Sequence, residues 1–190
     1  MNISKIFFRL IIILVPLSSS AQVDRSSKNG ISISPAFELL RSTHGNAFYA
    51  PSLKANYNIT RQFELGMGVE YSSTPEHHDN GFILNKLRFL PVYGNLKYNF
   101  KGDKQVRFYA ETSLGISFNK YDIADEVTPL NTSTTREQGF YVYTGLGAKY
   151  AISKAVATFL GVGFKGYKMS FDDLDINPHG LSFSAGFSFL

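Results

Sequence analysis

From residue 30 onward, apolar and polar side chains alternate with a period of two, and the pattern recurs eight times along the chain. Period two marks a strand with one apolar and one polar face, because successive side chains of an extended chain point to opposite sides. It is most regular at the C-terminal end, where Leu181, Phe183, Ala185, Phe187 and Phe189 alternate with Ser182, Ser184, Gly186 and Ser188. Residues 62–72 repeat it, with Phe63, Leu65, Met67, Val69 and Tyr71 on one face and Glu64, Gly66, Gly68, Glu70 and Ser72 on the other. The remaining strands are expected at about residues 30–41, 48–58, 84–100, 106–120, 139–150 and 155–168. Within 84–100, Pro91 withholds a ladder donor in mid-strand, and a bulge near it is expected.

The connections between these strands alternate in length. Short turns fall at Asn58–Arg61, Lys101–Gln105 and Ala151–Ala155, whereas the segments at 42–47, 73–83, 121–138 and 169–179 are read as loops, three of them long and polar. Short turns on one side, longer loops on the other and an even strand count with both ends on one side describe an up-and-down barrel. The fold class is therefore read as all-β, an eight-stranded antiparallel up-and-down transmembrane β-barrel. The competing eight-stranded solution is a soluble lipocalin-like carrier with its apolar face inward. The polar face decides between them, because it holds Gly66, Gly68, Gly115, Gly145, Gly147, Gly161, Gly163 and Gly186. Bare positions suit the crowded interior of a narrow barrel, so the polar face is assigned to the lumen and the apolar face to lipid. Tyr49, Tyr57, Tyr71, Tyr98 and Tyr150 lie near strand ends on the apolar face, where interfacial girdles sit.

The first 21 residues explain how such a chain reaches a membrane. Lys5 and Arg9 precede an apolar run from Leu10 to Leu17, followed by Ser18, Ser19, Ser20 and Ala21, the build of a cleaved secretory signal. The run is too short for a spanning helix and contains Pro16. The expected organisation is a signal peptide over 1–21, a short periplasmic lead-in over 22–29 and a barrel over 30–190. The destination is the outer membrane of a Gram-negative-type envelope.

Charge adds detail to the lumen. The formal charge of +4 falls to +2 without Lys5 and Arg9, a small excess that argues against nucleic acid as a partner. There are no cysteines, which excludes disulfides, thiolate metal ligands and a cysteine nucleophile. Glu38, Glu64, Glu70 and Glu111 share the polar face with Lys54, Lys97, Arg107, Lys149 and Lys165. Nearly balanced signs inside a narrow barrel predict a plugged lumen held by an ion-pair network.

Arg88-Phe-Leu-Pro-Val-Tyr-Gly-Asn-Leu-Lys-Tyr-Asn-Phe100, the signal ending Ser-Ala-Gln, the repeated Gly-x-Gly strands and the aromatic last strand resemble the porin-like outer-membrane β-barrel domain family. The resemblance covers Gly30 to Leu190 and implies outer-membrane lipid and the barrel-assembly machinery as partners. It also implies an assembly signal at the C-terminal end. Phe187 and Phe189 match that signal, while Leu190 follows them and Ser184 stands where the family carries glycine. The peptidoglycan-binding domain of some relatives is not expected.

Little catalytic chemistry is legible. His44, His77, His78 and His179 fall in the expected loops, with Asp79, Asp172, Asp173 and Asp175 nearby, so a divalent metal is conceivable there. No tight ligand motif appears, and no metal or cofactor is expected. The Gly-x-Gly pairs lack the helix that a nucleotide fingerprint requires, and no Gly-x-Ser-x-Gly elbow is present. His179 and Ser182 are the nearest base and nucleophile, but three residues apart on a strand they face opposite ways. The expectation is a non-enzymatic barrel presenting residues 73–83, 121–138 and 169–179 for ligand binding, adhesion or membrane integrity. A small porin-like channel for ions or solutes and a lipid-modifying enzyme are the alternatives.

Overall fold

The chain is described by a computed structural model over residues 30–43, 45–79, 82–102, 105–125, 132–169 and 177–190. The expected signal peptide and lead-in, together with His44, lie outside these residues. Nine strand segments follow in order: β1 Ile31–Ser42, β2 Ala47–Asn58, β3 Phe63–Glu70, β4 Ser72–Asp79, β5 Phe82–Asn99, β6 Val106–Asp125, β7 Thr132–Ala151, β8 Val156–Tyr167 and β9 His179–Phe189. Segments β3 and β4 pair with β5 in one continuous register, from Phe63 opposite Tyr98 to Asp79 opposite Phe82, and so form a single stave. Eight antiparallel staves result, and β1 closes the cylinder by pairing with both β2 and β9.

The pairing fixes the shape of the cylinder. From Ile31 the partners run through Tyr57, Leu65, Leu96, Thr112, Thr144, Phe164 and Leu181, and arrive back on β1 at Arg41. The return falls ten residues beyond the start, which sets the stagger. A stagger of that size goes with strands tilted by roughly 35–45° and an interior only wide enough for side chains.

Burial alternates as the period-two pattern requires. Along β2, Phe48, Ala50, Ser52, Lys54 and Asn56 point in and are buried, while Tyr49, Leu53 and Tyr57 point out and are exposed. All eight glycines assigned to the lumen face stand in the inward parity, and none of them is on the exposed side. Gly115 shows why a side chain is excluded there: a Cβ would lie 2.2 Å from the Val92 carbonyl oxygen and 2.6 Å from the Tyr93 Cα.

Two features of β5 differ from expectation. The ladder runs through Pro91, paired with Ser117, and the register shifts instead between Asn85 and Arg88. Lys86 sits at φ 53° in that bulge, and the extra residue turns both Leu84 and Leu87 inward. Pro91 leaves a different mark. The Asn99 amide donates to Gln62 on the β3 side, whereas the Phe100 amide donates to Phe108 on the β6 side. By alternation Pro91 would donate toward β3, at Glu70, and that is where β3 ends before β4 resumes at Ser72.

The expected loops 73–83 and 121–138 are mostly strand. Segment β4 runs to Asp79 and β5 starts at Phe82, while β6 extends to Asp125 and β7 begins at Thr132. Period two reports a boundary between lipid and lumen. Above the lipid both faces of a sheet are wet, so the alternation fades although the hydrogen-bonded ladder continues.

Candidate functional site

The lumen is built by residues that period two sends inward from every stave. At its centre six charged side chains form an alternating chain. The Lys97 ammonium lies 3.5 Å from Glu111, Glu111 2.6 Å from Lys54, Lys54 3.7 Å from Glu38, Glu38 2.6 Å from Lys165, and Lys165 2.7 Å from Glu70. Six different staves contribute one residue each. All six side chains are buried, and Lys165 and Glu70 have no exposed side-chain surface. Neutral donors fill the remaining acceptor positions: Ser52 donates to Glu38 at 2.9 Å, Asn95 to Glu111 at 2.7 Å, and the Tyr167 and Tyr141 hydroxyls to Glu70. The Lys97 ammonium also stands 4.8 Å from the Tyr109 ring centre and Lys54 5.5 Å from that of Tyr143.

The other three charges assigned to the lumen sit nearer the turn side. Lys149 lies 3.5 Å from Glu64, which also accepts from Asn99 at 2.8 Å. Arg107 lines the mouth there with Arg61, and makes no ion pair among the described residues.

Toward the opposite mouth the lumen turns apolar. Leu40, Phe48, Leu84, Leu87, Phe89 and Met169 are buried together with Tyr93, Tyr121, Tyr141 and Tyr167. Phe89 stacks on Tyr167 with ring centres 4.4 Å apart, and Tyr93 on Tyr141 at 4.8 Å. Sequence reading missed this layer. The tyrosines share the parity of Glu111 and Lys149, so their inward direction was legible, whereas Leu84 depends on the bulge.

The outer face carries an apolar band between aromatic ends. Tyr57, Phe63, Phe100, Phe108, Tyr150, Phe187 and Phe189 are exposed toward the turn side, with Tyr49 and Tyr71 toward the other. A tall outward apolar band flanked by aromatic rings on a closed all-antiparallel cylinder is the surface of a transmembrane barrel. Residues 10–189 match the family described as outer membrane protein beta-barrel domain. The chain belongs to that family. As a family member it is an outer-membrane barrel, and solved structures of similar fold agree. Neisserial surface protein A superposes with a TM-score of 0.54 at 16% identity, covering 86% of this chain and 97% of that one. OprG of Pseudomonas aeruginosa gives 0.51 at 12% identity over 87% and 97%. The attachment invasion locus protein Ail of Yersinia pestis gives 0.51 at 13% identity over 85% and 97%. A protein of Pasteurella multocida, PM1543, is 27% identical over 139 residues, which is 62% of this chain and 56% of that protein's length.

The metal candidates are not gathered into a site among the described residues. Asp172, Asp173 and Asp175 lie outside those residues, as do the side chains of His77, His78 and Asp79. His179 is held by the Asn177 carbonyl at 2.6 Å and stands beside the outward Phe164 ring at 5.9 Å, whereas Ser182 is buried in the lumen. The two therefore occupy opposite faces of β9. Phe187, Phe189 and Leu190 are exposed at the end of the last strand, and the Leu190 amide donates to Ala155 at 2.9 Å.

Above the band, Asp122 on the long β6–β7 hairpin accepts from the Thr134 hydroxyl at 2.7 Å and lies 3.4 Å from the Lys86 ammonium. The hydroxyl donor first, and then the nearby lysines, hold its carboxyl below the usual carboxylate range.

Proposed function

We propose that the protein is a non-enzymatic outer-membrane barrel that is closed to solutes and presents a stiff extracellular sheet as a binding surface. The length of its strands carries this reading. Segments β6 and β7 each have 20 residues, where a tilted spanning strand needs about 9–11. The surplus lies on the loop side, so β4 to β7 lift a sheet above the lipid. Unlike a loop, such a sheet holds its side chains in fixed relation, and binding then costs little ordering entropy. Residues 132–138 have no ladder partner on the β8 side among the described residues, while the Lys168 and Met169 backbone lies against Gly139.

The alternating charge chain and the aromatic layer support a closed lumen, because a solute would have to part buried charge pairs. A small channel is the second reading, favoured by the polar mouth around Glu64, Lys149, Arg61 and Arg107. Placement of His179 and Ser182 on opposite faces supports a non-enzymatic role.

Two measurements test the proposal. Purified folded protein in a planar bilayer is expected to give no reproducible conductance steps, and steady single-channel openings would establish the pore instead. Replacing residues 122–134 by an Asn-Gly turn trims the hairpin while leaving the barrel. Cells bearing the trimmed protein are expected to lose self-aggregation and retention on heparin- and protein-coated surfaces. Unchanged retention would remove the hairpin as the binding element.

A further inference from the structure

Arg88, Lys120 and Arg136 stand side by side on the outer surface. Arg88 is the register partner of Lys120 on β6, and Lys120 that of Arg136 on β7, and all three side chains are exposed. Side chains directly opposite on neighbouring strands have Cβ atoms about 4.5–5.5 Å apart, and like charges so placed repel. Three in a row is the least favourable way to distribute surface charge on this sheet. Asp122, one outward step above Lys120, supplies a single partial countercharge. Ser73 ends the row on β4, opposite Arg88, and Asp122 above is engaged by Thr134 and Lys86. Glu137 faces the other way and accepts from the Tyr121 hydroxyl at 2.8 Å. None of the three cations makes an ion pair among the described residues.

The height of the row in the membrane gives it meaning. One outward step toward the turn side lie Leu90, Phe118 and Gln138, paired in turn, and a second step down lie Val92, Ile116 and Phe140. From there the surface is apolar to Phe100, Val106 and Tyr150 except at the paired Thr112 and Thr144. The nine to eleven residues between those ends and Leu90, Phe118 or Phe140 match a spanning strand. The cations therefore sit where acyl chains give way to headgroups, on the side opposite the short turns. An open groove whose lining includes Arg88, Lys120 and Arg136 with Tyr71, Leu90 and Phe118, and also Glu137 and Gln138, joins the two zones.

We propose that this ladder is a binding site for a phosphate-bearing glycolipid of the outer leaflet. Phosphates bridge Arg88, Lys120 and Arg136, and an acyl chain lies along Leu90, Phe118 and Phe140. The three like charges become favourable only when an anion sits among them, and arginine forks suit phosphate oxygens. A lipid is the occupant because the apolar rows continue directly below the cations.

The test uses full-length folded protein in detergent micelles, loaded with bisphosphorylated lipid A or with a fully dephosphorylated lipid A of the same acyl chains, and read by native mass spectrometry. Wild type is expected to retain the bisphosphorylated lipid about tenfold more than the dephosphorylated one, the discrimination that one charge-assisted contact supplies. R88Q/K120Q/R136Q, checked for folding by heat-dependent migration in SDS, is expected to lose that preference. Should the triple variant fail to fold, K120Q alone removes the middle cation and is expected to lose most of it. R61Q removes a cation on the turn side and is expected to keep it. Equal retention of both lipids by wild type, an undiminished preference in the folded triple variant or in K120Q, or an equal loss in R61Q would each overturn the site.

Discussion

The Lys165 ammonium lies 2.7 Å from a Glu70 carboxylate oxygen, and neither side chain has exposed surface. Removing the cation leaves the two carboxylates unequally served. Glu38 keeps Ser52 at 2.9 Å and Lys54 at 3.7 Å, whereas Glu70 keeps only tyrosine hydroxyls. Lys165→Met is therefore expected to cost about 3–5 kcal/mol, the penalty for an uncompensated buried charge. Adding Glu70→Gln to it is expected to restore a large share, since an amide carries no charge. Urea unfolding in phospholipid vesicles measures both, and a loss below 1 kcal/mol for Lys165→Met would contradict the picture.

Gly115 and Gly94 make opposite forecasts on neighbouring strands. A Cβ at Gly115 meets the Val92 carbonyl at 2.2 Å, and backbone cannot step aside cheaply, so Gly115→Ala is expected to destabilise by about 1–3 kcal/mol. At Gly94, which faces outward, the nearest atom would be 3.9 Å away. Gly94→Ala is expected to be neutral or to gain about 0.4–1 kcal/mol through a stiffer unfolded chain. Parallel unfolding curves decide whether lumen crowding or strand propensity governs the glycines.

Pro91 stands where an amide would reach the Glu70 carbonyl and close the gap between β3 and β4. Pro91→Val keeps an apolar side chain of similar size and supplies the donor. Hydrogen exchange is expected to show a protected amide at residue 91, with stability raised by about 0.5–1.5 kcal/mol. A rapidly exchanging amide there would mean that the gap is held open by something other than proline.

Lys86 holds the bulge at φ 53°, a left-handed conformation that costs a non-glycine residue about 1–2 kcal/mol. Lys86→Gly is expected to slow amide exchange in the β4–β5 hairpin, and Lys86→Val to speed it. The contact with Asp122 at 3.4 Å changes this little, because the lysine side chain is 73% exposed and such pairs are weak.

How much was legible follows from what each signal reports. The inward glycines, the alternating faces and the nine lumen charges are local facts. A strand sends residues i and i+2 to the same side wherever it lies, so direction could be read before position. The extent of β4 to β7 could not be read that way, because Ser73 and Thr134 have no lipid to face and so leave no alternation. Pro91 is where the missing donor predicts a bulge, yet the bulge lies at Lys86, where nothing in the residue type announces a left-handed backbone.

By itself, then, the sequence determined a closed eight-stave barrel, its lipid-facing side and the charges inside it, since those depend on period and composition. Tertiary structure alone decided which charge meets which. Lys165 finds Glu38 and Glu70 from strands 127 and 95 residues away, and only a stagger of ten brings those three to one level. The same stagger sets Arg88, Lys120 and Arg136 in one row. Register is a property of pairing between distant segments, which no single strand encodes.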